Sequence, residues 1–244
     1  MIIKKNDFIE IEFTGKSNNE IFDTTDKEEA KSIGLDVEVK PMIVSVGNQM
    51  LVKGFDELLE GKETGKKYSI HLTPEKAFGK RQPGLVKILP IKVFHQQKMN
   101  PAPGMTVQLD DYIAKILSVS GGRVSVDFNN PLAGKEIDYE FTIKRKVDDD
   151  AEKINALQDF FFKMRFDYEI KQDENSKTKK VIFKKQEIKP FIDVFKNKFK
   201  DMTGLDFEVE ASGLAKQNKN NDNESGREEK EEKKEKKQEK VDNK

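Results

Sequence analysis

Ile9, Ile11 and Phe13 alternate with Glu10, Glu12 and Thr14, the period of a strand with one face buried. Met42 to Val46 reads as a second strand, stopped by Gly47-Asn48. Gly54 to Gly61 (GFDELLEG) gives one or two helical turns closed by glycine. Tyr68, Ile70 and Leu72 alternate along a third strand that ends at Pro74. The next strand with this pattern comes much later: Ile137, Tyr139, Phe141 and Ile143 alternate with Asp138, Glu140, Thr142 and Lys144. One sheet interrupted by an insertion accounts for that gap.

The intervening residues, 85–128, have their own pattern. LVKILPIKVF opens them as an apolar run containing Pro90. Met105–Leu109 and Tyr112–Leu117 read as strands joined at Asp110-Asp111, and Gly121-Gly122 is a hairpin turn into Val124–Phe128. So short a segment is small for a free-standing core, so it either leans on its host or leaves apolar surface bare. Residues 148–210 form a third unit. Asp148–Asp150 offer an N-cap. Ile154, Leu157, Phe161 and Met164 mark one face of a helix, and Tyr168 and Ile170 face Val181 and Phe183 across a polar QDENSKT turn. Pro190 starts a second helix lined by Phe191, Val194, Phe195 and Phe199; Gly204 ends it, and Leu205, Phe207 and Val209 alternate as a last strand. Nine of the 17 Phe lie between Phe160 and Phe207, enough for a core of its own. The expected organisation is α+β: residues 1–84 with 129–147, an inserted domain at 85–128, an αββαβ domain at 148–210, and a charged segment at 211–244.

Composition refines this picture. Charged residues make up 37% of the chain and apolar ones 35%, too polar an average for one globule. Residues 211–244 explain much of it: ten basic against nine acidic side chains and almost nothing apolar, the signature of a disordered polyampholyte. The chain has no Cys, which removes disulfides, thiol catalysis and cysteine metal sites. His71 and His95 are its only histidines, and neither has a carboxylate or cysteine at a ligand spacing, so no metal site and no cofactor is expected. A net charge of zero argues against a nucleic-acid partner. MIIKKNDFIE has no long apolar run, which argues against a signal peptide or membrane anchor and for a cytoplasmic protein.

The chemistry-bearing blocks come in order: FTG (Phe13–Gly15), EIFDTT (Glu20–Thr25), VGNQMLVKGFDELLEG (Val46–Gly61), LTPEKAFGK (Leu72–Lys80) and VDFNNPLAGKEIDYEFTI (Val126–Ile143). Singly, each is ordinary loop, helix and strand chemistry. Together they resemble the FKBP-type peptidyl-prolyl cis/trans isomerases, more closely the SlyD-like and long archaeal branch with a domain inserted in the flap. The resemblance covers Met1 to about Val147, and NNPLAGK is specific to that branch. It implies an FKBP-like antiparallel half-barrel sheet with a short helix, an inserted small antiparallel β domain, and an extra C-terminal domain.

The same resemblance implies a pocket. Phe22 and Asp23 match the wall pair, Phe55 the floor where many relatives have Trp, and Met42 a wall position that is often Phe. Leu51 and Val52 match the segment whose backbone N–H takes the ligand carbonyl. Phe78 stands where the family usually has Tyr, and Phe13 and Tyr139 complete the aromatic wall. The alternative for these rings is plain core packing. The implied activity is Xaa-Pro isomerisation on unfolded or partly folded protein clients. Leu85, Val86, Ile88, Leu89, Met99 and Met105 of the insertion are expected to bind those clients, unless they pack against the insertion's own sheet. A homodimer through the C-terminal domain is a further possibility. Two rivals stay open: a non-catalytic holdase and a peptide-binding scaffold that keep the fold.

Overall fold

A computed structural model describes residues 1–34, 39–172 and 178–210. The charged segment 211–244 and most of the QDENSKT turn lie outside the described residues. In chain order the elements are β1 (Phe8–Ser17), β2 (Glu20–Thr24), α1 (Lys27–Ser32), β3 (Met42–Ser45), α2 (Lys53–Leu59) and β4 (Lys67–Leu72). Then come β5 (Val86–Pro90), α3 (Ile91–Gln96), β6 (Thr106–Leu109), β7 (Tyr112–Ser120), β8 (Arg123–Asp127) and β9 (Ile137–Val147). The described residues end with α4 (Asp150–Phe161), β10 (Tyr168–Gln172), β11 (Lys179–Phe183), α5 (Lys189–Thr203) and β12 (Asp206–Val209). Two compact units divide inside α4, between Ala156 and Leu157.

In the first unit an antiparallel sheet runs β2-β1-β9-β4, and β3 also pairs with β1. The register sets Ile11 against Ile143, Phe13 against Phe141, and Tyr139 against both Gly15 and Ile70. Opposed residues share a face, so the alternating apolar positions of three strands gather on one side. Glu12, Glu140 and Lys144 go to the other side, where they pair with lysines or glutamates. A second sheet, β5-β8-β7-β6, is built from the chain between β4 and β9. Phe94, Val107, Leu109, Ala114, Ile116, Val124 and Val126 form its buried cluster.

Three of the elements that differ from the sequence reading do so for a plain physical reason. α1 escapes the pattern because it buries only Ala30; Asp26 starts it by accepting from the Glu28 and Glu29 amides at 2.8 and 3.0 Å. The run around Pro90 is a strand followed by a helix, since proline's fixed φ suits the helix N-cap. The first C-terminal helix stops at Phe161, so Met164 lies beyond it and is 57% exposed. Asp149 caps that helix, accepting from the Glu152 amide at 2.8 Å. In the second unit β10 pairs antiparallel with β11, Tyr168 opposite Phe183 and Ile170 opposite Val181, and β12 adds in parallel. Gly204 ends α5 in the left-handed conformation, as its sequence position predicts.

Candidate functional site

The buried face of the first sheet carries a nest of rings. Phe13 on β1 lies edge-on to Phe55 and to Tyr139, both at 5.9 Å between centroids. Phe55 on α2 and Tyr139 on β9 are 4.6 Å apart. Phe22 on β2 meets Tyr139 at 5.9 Å and Phe78 at 5.8 Å. Phe13, Phe55 and Tyr139 are buried, whereas Phe22 and Phe78 are half-open to solvent. The gradient makes a cup with a packed floor and an accessible rim. Met42 sits opposite Ile11 on β3, on the same face as Phe13.

Two residues that the sequence reading left without a role shape this cup. A Cβ on Gly15 would lie 2.7 Å from ring atoms of both Phe22 and Tyr139, so only glycine lets those rings meet. Gly15 was visible inside the FTG block; its contacts come from strands that the sequence cannot juxtapose. Asp56, 5% exposed, accepts from the Gly47 amide through Oδ1 and the Gln49 amide through Oδ2, both at 2.8 Å. It thereby fixes the turn that delivers Leu51 and Val52, both half-buried, to the start of α2. The Val52 carbonyl accepts from the Phe55 and Asp56 amides at 2.9 Å. Its own amide donates to no acceptor among the described residues.

Asp23 reaches solvent at the rim, yet partial burial raises its carboxyl pKa, opposed by the Thr24 amide. Burial pushes the Tyr139 phenol well above its ordinary range, and the nearby Asp23 carboxylate adds to that. Tyr139 therefore stays a neutral hydroxyl. A separate polar cleft of about 180 Å³ lies between α1 and the sheet's outer face. Lys67 is bound to Glu140 there at 2.7 Å, and Glu12 to Lys144 at 3.1 Å. Charges already paired offer nothing to an apolar ligand.

The insertion exposes part of what was expected. Ile88 is 68% exposed, Leu85 38% and Met105 39%; Val86 is half-buried. Leu89 and Met99 instead pack on the buried cluster around Phe94. Tyr112, Ile113 and Leu117 are exposed as well, a feature the sequence missed because YIAKIL gives no sign of which face is covered. His71 is exposed on the strand, out of phase with the buried Leu72, and gains a partner that is distant in sequence. It has a carboxylate partner across the β4–β9 ladder, Asp138, with Nδ1 at 2.8 Å, and Glu136 at 3.7 Å from Nε2.

Comparison with known proteins gives the family. Residues 1–95 match the family described as FKBP-type peptidyl-prolyl cis-trans isomerase, and residues 87–132 match that described as FKBP26, IF domain. A short-type peptidyl-prolyl cis-trans isomerase of Methanocaldococcus jannaschii is 34% identical over 146 residues, 59% of this chain and 92% of the relative. The SlyD isomerase of Aeromonas hydrophila is 30% identical, over 50% of this chain and 58% of its own length. A 16 kDa isomerase of Escherichia coli is 25% identical, covering 58% and 91%. With the aromatic nest in place and most of one such relative spanned, this chain belongs to the FKBP-type peptidyl-prolyl cis/trans isomerases.

Proposed function

We propose that the cup of Phe13, Phe22, Phe55, Phe78 and Tyr139 receives the proline ring of an Xaa-Pro segment. The observation that carries this reading is the mutual contact of the five rings, floor buried and rim open, around a glycine without a Cβ. Met42 and Leu51 extend the apolar wall, and the Val52 amide takes the carbonyl of the bound segment. Rotation about the imide faces a barrier of about 18–20 kcal/mol, maintained by amide resonance. No bond breaks, so no nucleophile is required. An apolar cup that holds the twisted imide better than either planar isomer lowers the barrier by differential binding. A gain of about 5 kcal/mol gives between three and four orders of magnitude in rate. Asp23, next to Tyr139, puts a negative charge at the rim that orients the twisting amide.

The inserted sheet gathers the clients. Phe94 and its neighbours cover one face, while Ile88, Ile113 and Leu117 stand bare on the other. Grouped exposed apolar side chains mark interaction surfaces. Extended, unfolded segments held there reach the cup at raised local concentration. Exchange NMR on an Xaa-Pro tetrapeptide tests the cup: Asp23→Ala and Phe22→Ala each lower the interconversion rate with the fold intact. Wild-type rates from the double variant would remove the assignment. Replacing 86–127 by a short loop tests the sheet: tetrapeptide turnover survives, and catalysed refolding of a proline-limited protein slows sharply.

A further inference from the structure

The chain leaves the first sheet after Leu72 and returns to it at Ile137, and the outgoing and returning segments are tied together by side chains. Asn129, 8% exposed, accepts from the Gln82 amide through Oδ1 at 2.8 Å and donates from Nδ2 to the Gln82 carbonyl at 3.0 Å. Its carboxamide thus pairs with both the N–H and the C=O of one residue, as a residue on a neighbouring antiparallel strand would. Asp127, 5% exposed, aims the carboxamide: its Oδ1 accepts from the Asn129 amide at 2.9 Å and from Nδ2 at 2.6 Å. Its Oδ2 takes the Arg81 guanidinium.

Backbone bonds extend this tie both ways. The Phe128 amide donates to Leu85 at 3.0 Å, continuing the β5–β8 ladder outward from the first sheet. The Gly134 amide donates to Gly79 at 2.8 Å, one residue from Phe78 on the rim of the cup. The buried carboxylate and carboxamide satisfy one another and the backbone between them. Neither would be retained in so small a contact for burial alone, since unpaired they would cost free energy.

We infer that Arg81, Asp127 and Asn129 form a latch that fixes the inserted sheet against the cup, and that they are positioning residues for turnover of protein clients. The second half of this inference rests on the client-binding role proposed for the inserted sheet. Without the latch, two segments joined only at Gly79–Gly134 and Leu85–Phe128 would swivel, and a segment bound on the sheet would no longer be presented to Phe22 and Phe78. A tetrapeptide never touches the sheet, so its turnover is indifferent to the latch.

The chain has no Cys, so a pair introduced at the exposed Glu60 and Asp111 labels uniquely. Spin labels there report the distance between α2 and the insertion. The intact latch gives one narrow distribution, and Asn129→Ala broadens it. Catalysed refolding then falls about tenfold as local concentration is lost, with tetrapeptide turnover changed less than about twofold. If Asn129→Ala does not fold, Asp127→Asn is read the same way; it keeps an acceptor for the Asn129 amides and removes the charge facing Arg81. An unchanged distribution in a folded variant overturns the latch. Broadening with undiminished refolding, or an equal fall in both rates, overturns the positioning role. Refolding that survives replacement of the whole insertion would instead remove the client-binding role on which that half rests.

Discussion

A methyl group on Gly15 would need space that two ring edges already fill, at 2.7 Å from each. Gly15→Ala should therefore cost about 1–3 kcal/mol in a thermal melt, the usual range for overpacking. Tetrapeptide turnover should fall further than stability does, because the displaced rings are Phe22 and Tyr139 of the cup. Phe55→Ala is a poorer probe: the ring is 1% exposed and touches Phe13, Tyr139 and Phe141. Emptying such a site costs about 3–5 kcal/mol, and lost activity would then report unfolding. His71 supplies a pH prediction. Its hydrogen bond to Asp138 raises its pKa above the ordinary 6.5. The folded value exceeds the unfolded one, so the stabilisation is complete below about pH 6.5 and is lost as pH rises through the folded value. Asp138→Asn should lower the His71 titration midpoint, read from ring proton shifts, and flatten that part of the stability profile. The rings of the cup were legible because the blocks that carry them resemble a family. The partner of His71 was not, because 67 positions separate it from Asp138.

At the scale of elements, legibility followed burial. β1 and β9 declared themselves because each alternates over its length with one face on the core. α1 did not, with one buried alanine and a start signal, Asp26, that also suits a turn. Met164 falls in phase with Leu157 and Phe161, but period alone cannot say where a helix stops. The turn before α2 is a sharper case. Its sequence, VGNQMLVKGFDE, advertises glycine and asparagine, yet what holds it is a buried carboxylate inside the helix that follows. Gln49 has φ +61°, a conformation unfavourable for its side chain, so the bonds from Asp56 oppose a local cost. Asp56→Ala leaves the Gly47 and Gln49 amides without their acceptor. Hydrogen bonds to a charged group are worth about 1.5–3 kcal/mol each, and solvent entering the turn would recover part of that. We expect a loss of about 2–4 kcal/mol in denaturant unfolding. KM should rise more than kcat falls, because Leu51 and Val52 lose their placement while the rings do not. Asp56→Asn should recover part of both, as its one remaining oxygen can still accept from one amide.

At the scale of the whole chain, a separate core in the C-terminal unit was foreseeable from where nine of the Phe residues fall, and that unit has one. In the second unit Phe199 meets Phe161, Phe162, Phe195 and Phe207, and Val181, Phe183, Ile188 and Ile192 are buried. The place of division was not foreseeable. It falls within α4, whose first turns group with the sheet of the first unit, where Ile154 is fully buried. Arg145 also holds Glu152 through two bonds, at 2.9 and 2.8 Å, and binds Glu10 on β1. These contacts set the cost of ending the chain at Val147. The exposed Arg145–Glu152 pair, screened by solvent, contributes little. Losing the buried Ile154 costs about 1.5–3 kcal/mol. For the fragment left, that amounts to a fall in Tm of about 5–10 °C. None of the residues of the cup lies beyond Tyr139, so tetrapeptide turnover at 15 °C should stay within about twofold of the full chain, a difference of only about 0.4 kcal/mol in the barrier. Phe191 and Val194, 52% and 73% exposed on α5, leave with the second unit. Any self-association of the full chain seen by sedimentation should leave with them. Turnover that collapses while the shortened chain still melts cooperatively would mean that the second unit contributes to the cup.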